Sequence, residues 1–162
     1  MRKVTPLLGI AVMLIAALLI GAVALAAEKP KAEEKPCGYC GMDTTLSPSH
    51  ITAVYTMKGK KPVMKDFDSL GCFMRVAMLI PPAGTYTDVK ILDTSTFGSK
   101  EQKFVPIESA WFVPLESLAG SMPPYLASFA SKKTATKYAK VHDSRVLNYE
   151  AAHKLVMKEI SG

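Results

Sequence analysis

Residues 51–79 read ITAVYTMKGKKPVMKDFDSLGCFMRVAML, and this stretch decides the fold. Ile51, Ala53, Tyr55 and Met57 alternate as one face of a strand, residues 58–61 around Gly59 make a turn, and residues 63–67 return, which predicts a β-hairpin. Asp68 and Ser69 then offer N-cap side chains to an apolar-periodic run through Leu70, Phe73, Met74, Ala77 and Met78 that stops at Pro81-Pro82, a buried helix. Residues 88–93 (DVKILD) alternate again and close a β-β-α-β unit, with a polar connector following over residues 94–102.

The second half repeats that order. Residues 110–115 (AWFVPL) and 125–130 read as two strands joined by a loop through Gly120-Ser121-Met122-Pro123-Pro124, and residues 132–141 as the helix after them. Asp143-Ser144-Arg145-Val146-Leu147 parallels Asp88-Val89-Lys90-Ile91-Leu92, and a last helix spans residues 150–160, with Ala151, Leu155 and Val156 on one face. The expected fold is α+β: two β-β-α-β modules, about 37–94 and 103–162, packed together with a ligand at or near their seam.

Upstream of the modules the chain is built for export. Arg2 and Lys3 precede an uncharged apolar run over residues 7–27, with small-residue sites at Ala22-Val23-Ala24 and Ala24-Leu25-Ala26. This reads as a signal peptide, or as an uncleaved anchor, since about 20 apolar residues span a bilayer. No cysteine closes the run, so no lipid attachment site is read there. Residues 28–36 (EKPKAEEKP) form a charged, proline-bearing tether. Setting the first 27 of 162 residues aside leaves 135, enough for a real core, and lowers the formal net charge from +6 to +4. That mild excess, with no basic cluster beside aromatic platforms, argues against nucleic acid as a partner.

Between tether and hairpin lies the stretch with chemistry in it, Cys37-Gly38-Tyr39-Cys40-Gly41-Met42. Thiolate and thioether are soft donors that together select Cu(I) over harder divalent ions. Cys40 and Met42 are two apart and leave one face of an extended segment, so their sulfurs converge; a turn through Gly38 brings Cys37 round to them. The competing readings of the C-x-x-C pair are a disulfide and half of a zinc knuckle, and the chain has no second half for the knuckle. Cys72, on the apolar face of the first helix, reads as a small buried hydrophobe and is left out of the site, and Met57, Met64, Met74 and Met78 read as core filling. His50 follows in a loop close to Met42 and is a candidate auxiliary ligand, as is His142 at a helix end; His153 is expected to face solvent.

The chain resembles the NosL family, copper chaperones that serve the assembly of nitrous oxide reductase. The resemblance rests on residues 37–42, on Glu108-Ser109-Ala110-Trp111-Phe112-Val113 running on to Gly120-Ser121-Met122, and on Leu126-Ala127-Ser128-Phe129 followed by His142-Asp143-Ser144-Arg145-Val146-Leu147. It implies two β-β-α-β modules like a domain of alkylmercury lyase, and Cu(I) bound by the cysteine and methionine of the C-G-M element, here Cys40 and Met42. It also makes Met122 a third candidate. The metal set read from the sequence is thus Cys40, Met42, Cys37 and Met122.

Two functions compete at this level. One is an extracytoplasmic metallochaperone, soluble or tethered, that surrenders Cu(I) to a cuproenzyme or a membrane copper-handling complex. The other is an exported thiol-disulfide oxidoreductase using Cys37 and Cys40, although the motif follows a tether instead of opening a helix after a strand. A plain disulfide staple at the N-terminus would leave no metal site. No nucleophilic triad, phosphate loop or paired-carboxylate motif supports hydrolysis.

Overall fold

The structure is a computed structural model that describes residues 34–79 and 83–162; the leader, most of the tether and the Pro81-Pro82 stop lie outside the described residues. The hairpin forms as β1 (Ile51–Met57) and β2 (Val63–Phe67), paired antiparallel with Ile51 opposite Phe67 and Tyr55 opposite Val63. The other edge of β1 pairs with β3 (Gly84–Leu92), and β3 with the short β4 (Phe104–Pro106), giving the order β2-β1-β3-β4. Ile51 lies opposite both Phe67 and Ile91, and all three are fully buried, so one rung of the sheet anchors the core. Strand β4 was not expected. Three residues ending in a proline are too few to show a period.

Between β2 and β3 the chain makes α1 (Leu70–Met74), with Ser69 Oγ accepting from the Cys72 N–H at 3.2 Å as the N-cap side chain. The helix then widens into a π-turn over Arg75–Leu79. This changes the expected face. A π-turn advances less per residue than an α-turn, so Met78 does not stack on Met74: Met74 is buried, whereas Met78 is 51% exposed.

The second half shows the same order in reduced form. Strands β5 (Trp111–Pro114) and β6 (Leu126–Phe129) pair antiparallel, and α2 (Lys132–Val141) follows with Ser131 Oγ capping the Thr134 N–H. The expected strand after it shrinks to one bridge, in which Phe112 and Leu147 exchange both backbone hydrogen bonds at 2.8 Å. The residues before Leu147 are spent on leaving α2: the Ser144 N–H donates to the Ala139 carbonyl, and its hydroxyl to the Pro114 carbonyl. Asp88 and Asp143, matched in the two halves, both sit at φ +47°. At Asp88 this places the extra residue of a β-bulge, where the β1–β3 register shifts between Thr52 and Val54.

The last helix, α3 (Tyr149–Ser161), packs against α1, and its Ala152 and Val156 join Phe67, Leu70, Cys72, Met74, Ile91 and Phe112 in the main core. A smaller core, Val113, Ala127, Phe129, Ala135 and Ala139, lies between the second sheet and α2. His153 does not simply face water: its Nε2 is 3.3 Å from Met78 Sδ. Among the described residues no helix is long and apolar enough to cross a membrane.

His50 is buried, with Nε2 2.7 Å from Asp66 Oδ1 and its ring edge-on to Phe104. Burial holds the imidazole below its usual pKa, and the Asp66 carboxylate only partly offsets this. The unfolded chain therefore takes up a proton at the ordinary histidine pKa that the folded chain refuses until lower pH. Folding stability from this group is full above that ordinary pKa and declines as pH falls toward the folded value. The midpoint of thermal unfolding is expected to drop between pH 7.5 and 5.5, and to drop less in His50→Gln; equal slopes for the two proteins would remove His50 as the cause.

Gly120 has φ +73°, and an added Cβ would run into the backbone carbonyl of Leu46. Its lack of a side chain lets the β5–β6 loop lie against residues 46–47. Gly120→Ala is expected to cost about 1–3 kcal/mol of stability, read as a lower urea midpoint.

Candidate metal centre

The segment 36–43 is a closed loop. Pro36 and Asp43 form a bridge at its base, the Cys37 N–H donates to the Met42 carbonyl at 2.7 Å, and the Gly41 N–H returns to the Cys37 carbonyl at 3.0 Å. The expected extended geometry is therefore absent: Gly41, at φ +78°, reverses the chain between Cys40 and Met42. The end of the tether belongs to this structure, because the Lys35 carbonyl accepts from both the backbone N–H and the hydroxyl of Thr44. The loop is sewn onto β2 by the Gly38 N–H, which donates to the Asp66 carbonyl at 2.8 Å, with Gly38 against the Phe67 ring.

Two further segments meet the loop. The turn from β2 into α1 brings Asp68, the first turn of α1 brings Cys72, and the β5–β6 loop brings Met122. Ligand atoms of Cys37, Cys40, Asp68 and Cys72 all lie within 4.8 Å of one another. Cys72 Sγ is 3.8 Å from Met122 Sδ. Cys37 and Cys72 are buried, Cys40 and Met122 half-buried, and Met42 exposed at 39%. Of the four residues expected from the sequence, Cys37, Cys40 and Met122 thus sit on one cluster, while the Met42 side chain is exposed.

Cys72 and Asp68 are the residues that sequence reasoning missed. Cys72 does lie on the buried face of α1, as its spacing indicated, but that face looks at the loop's thiols and at Met122 as well as at hydrocarbon. The available signal was position: Ser69 as the capping residue puts Cys72 in the first turn of the helix, at the end nearest the loop.

Asp68 organises the three segments. It is fully buried; Oδ2 accepts from the Met122 N–H at 3.1 Å, and Oδ1 lies 3.5 Å from Cys37 Sγ and 3.3 Å from Ser69 Oγ. Its backbone carbonyl accepts from the hydroxyl of buried Ser47, which is itself 2.9 Å from Ser121 Oγ. Arg75 adds an outer tie, with its guanidinium over the Tyr39 ring and Nη1 donating to the Pro123 carbonyl at 3.4 Å.

The thiols differ sharply in acidity. Cys37 is lowered to about 6, chiefly because the Cys72 thiol donates to its sulfur, with backbone N–H groups of Cys40, Tyr39 and Asp68 also pointing at it; burial works against them. Cys72 is pushed far up by giving that same hydrogen bond, and by burial. Cys40 is raised by burial, partly offset by the Met42 N–H. Cys37 is therefore the thiol of the three that ionises most readily. The 3.5 Å contact from Cys37 to Asp68 is a donor contact only when Cys37 carries its proton.

His50, bonded to Asp66, and His142, capping α2 against the Tyr138 ring, are not part of this group. The donor set, three thiols and a thioether with one carboxylate, suits a soft ion.

A family model described as NosL matches residues 29–156. The chain is similar to the copper-binding lipoprotein NosL of Stutzerimonas stutzeri, 27% identical over 128 residues, an alignment covering 76% of this chain and 64% of that protein. It therefore spans less than two thirds of that relative's length. Among solved structures, the crystal structure of the copper chaperone NosL from Shewanella denitrificans matches with a TM-score of 0.56 and 23% identity, over 76% of this chain and 92% of that one, which establishes a common fold. With most of its length matched by the family model, and a mixed α+β fold shared with a solved member, the chain belongs to the NosL family.

Proposed function

We propose that this protein is a Cu(I)-binding metallochaperone that works outside the cytoplasm and delivers its ion to a cuproenzyme or a membrane copper-handling complex, nitrous oxide reductase being the client that the family resemblance suggests. The observation that carries this reading is the convergence of Cys37 and Cys40 of the loop, Cys72 of α1 and Met122 of the β5–β6 loop onto one sulfur-rich cluster. The copper-related names of the two relatives point the same way. The leader expected from residues 1–27 supports export.

Cu(I) is the cargo here, and the site is built to release it. Two thiolates and a thioether satisfy a monovalent soft ion with one net negative charge, far less electrostatic cost than a four-thiolate site would carry in a partly buried place. Cys40 and Met42 lie at the open side, so a donor from a partner protein can bind before the outgoing sulfur leaves. Transfer then proceeds by ligand exchange, without a free ion. The role of Cys37 is to be a thiolate already at neutral pH, ready for the metal before any proton has to leave.

The thiol-disulfide alternative draws on the same acidic Cys37. The loop does not open a helix, however; Asp43 caps only a three-residue 3-10 turn, Thr44–Leu46.

Titration of the reduced chain under anaerobic conditions against a competing Cu(I) chelator is expected to show one ion per chain. The Cys37→Ser/Cys40→Ser double variant is expected to bind at least about 100-fold more weakly, roughly 2.8 kcal/mol. Equal affinity in the double variant, or no binding by the unaltered chain, would dismiss the reading; insulin reduction that survives in Met122→Leu would favour the oxidoreductase.

A further inference from the structure

We propose that the cluster offers two metal positions: an inner one formed by Cys37, Cys72 and Met122, and an outer one formed by Cys37, Cys40 and Met42, with Cys72 the ligand that holds the ion between transfers. The inference rests on the Cu(I) reading above and deepens it.

The inner trio is set by contacts already present. Cys72 Sγ and Met122 Sδ are 3.8 Å apart, and Cys72 Sγ lies within 4.8 Å of Cys37 Sγ. Two sulfurs bound to one Cu(I) at roughly trigonal angles stand about 4 Å apart, taking metal–sulfur bonds of about 2.3 Å as in soft-metal thiolate sites. Both spacings admit an ion with little movement. The outer trio differs in exposure: Cys40 is half-buried and Met42 is 39% exposed, whereas Cys72 is completely buried. One set is therefore shielded and the other reachable, and Cys37 is common to both.

Charge argues for two positions in place of one site of four sulfurs. Asp68 is fully buried within the cluster, so three thiolates around Cu(I) would place three net negative charges together out of water, against two for a site of two thiolates and a thioether. The low-cost arrangement uses two thiolates at a time, and the cluster contains two such sets. Moving outward, the Cu–S bond to Cys72 breaks as the Cu–S bond to Cys40 forms, and the thioether of Met122 is exchanged for that of Met42. The proton leaving Cys40 is replaced by one taken up at Cys72, through solvent. No electron moves, and copper stays monovalent.

The two positions are separable by measuring Cu(I) affinity and the rate of Cu(I) release to a chelator in the full-length reduced chain. Cys72→Ala is expected to bind one Cu(I) at least about 10-fold more weakly and to release it faster, since only the outer set remains. Cys40→Ala is expected to release Cu(I) more slowly than the unaltered chain, since the outer set is lost and the inner one remains; release as fast as in Cys72→Ala would overturn the two positions. Met122→Leu, which keeps an apolar side chain of similar size, is expected to follow Cys72→Ala and separates loss of a ligand from loss of folding. X-ray absorption at the copper edge is expected to give three sulfur neighbours in the unaltered chain and, with the ion held by the outer set, three in Met122→Leu as well; two or fewer in Met122→Leu would overturn the outer position. Affinity and release in Cys72→Ala matching those of the unaltered chain would overturn the inner position while leaving one-to-one Cu(I) binding intact. Failure of the unaltered chain to bind Cu(I) would instead bring down the reading on which the inference rests.

Discussion

The buried Asp68 carboxylate is the constraint on which the rest of the site depends. A carboxylate out of water must be satisfied by donors, and it takes them from three segments far apart in sequence: the Met122 N–H, the Ser69 hydroxyl and, when protonated, the Cys37 thiol. Its own backbone carbonyl is held by Ser47 and approached by Ser121. Polar satisfaction at one residue thus fixes the cysteine loop, the start of α1 and the β5–β6 loop relative to one another. Hydrophobic packing alone would bury the same segments without setting where their sulfur atoms end.

The acidity pattern follows from that geometry. Three thiols crowded near a carboxylate cannot all ionise in the absence of metal. The charge settles on Cys37, where the donors are: the Cys72 thiol first, then the backbone amides of the turn. The lowering at Cys37 and the raising at Cys72 are opposite consequences of the two sulfurs lying within 4.8 Å of each other.

Much of the architecture was legible in the sequence because it is carried by period and punctuation. Alternation in 51–57 and 63–67 around Gly59, the Ser69 and Ser131 caps, and the 3.6-residue pattern of α2 all act within a few residues, and they place those elements to within a residue or two. The site was half legible. Cys37 and Cys40 stand three residues apart in a C-x-x-C and announce themselves, and the family resemblance brought in Met122. Cys72 escaped because burial and ligation put the same demand on helical spacing: a cysteine on an apolar face has one periodicity whether its neighbours are methyl groups or sulfurs. Alternation along residues 40–42 would put Cys40 and Met42 on one face of extended backbone, and the positive φ of Gly41 breaks that pattern. The π-turn that frees Met78 has no mark in residue type.

Comparison of the two halves of the chain separates scaffold from chemistry. Phe67-Asp68-Ser69 opens α1 just as Phe129-Ala130-Ser131 opens α2. In each, the phenylalanine is buried and the serine hydroxyl accepts from the backbone N–H three residues on, Cys72 in one half and Thr134 in the other. The capped strand-to-helix turn is therefore stable without any metal-binding residue, a cap of this kind contributing about 1 kcal/mol wherever it occurs. What differs is that the second half carries Ala130 where the first carries Asp68, and Thr134 where the first carries Cys72. The carboxylate and the thiol are thus additions to a turn that folds without them, placed in the one copy whose helix start faces the cysteine loop. In this arrangement the cost of burying Asp68 is set against a specific gain: it draws Met122 in from the other half and completes the sulfur cluster.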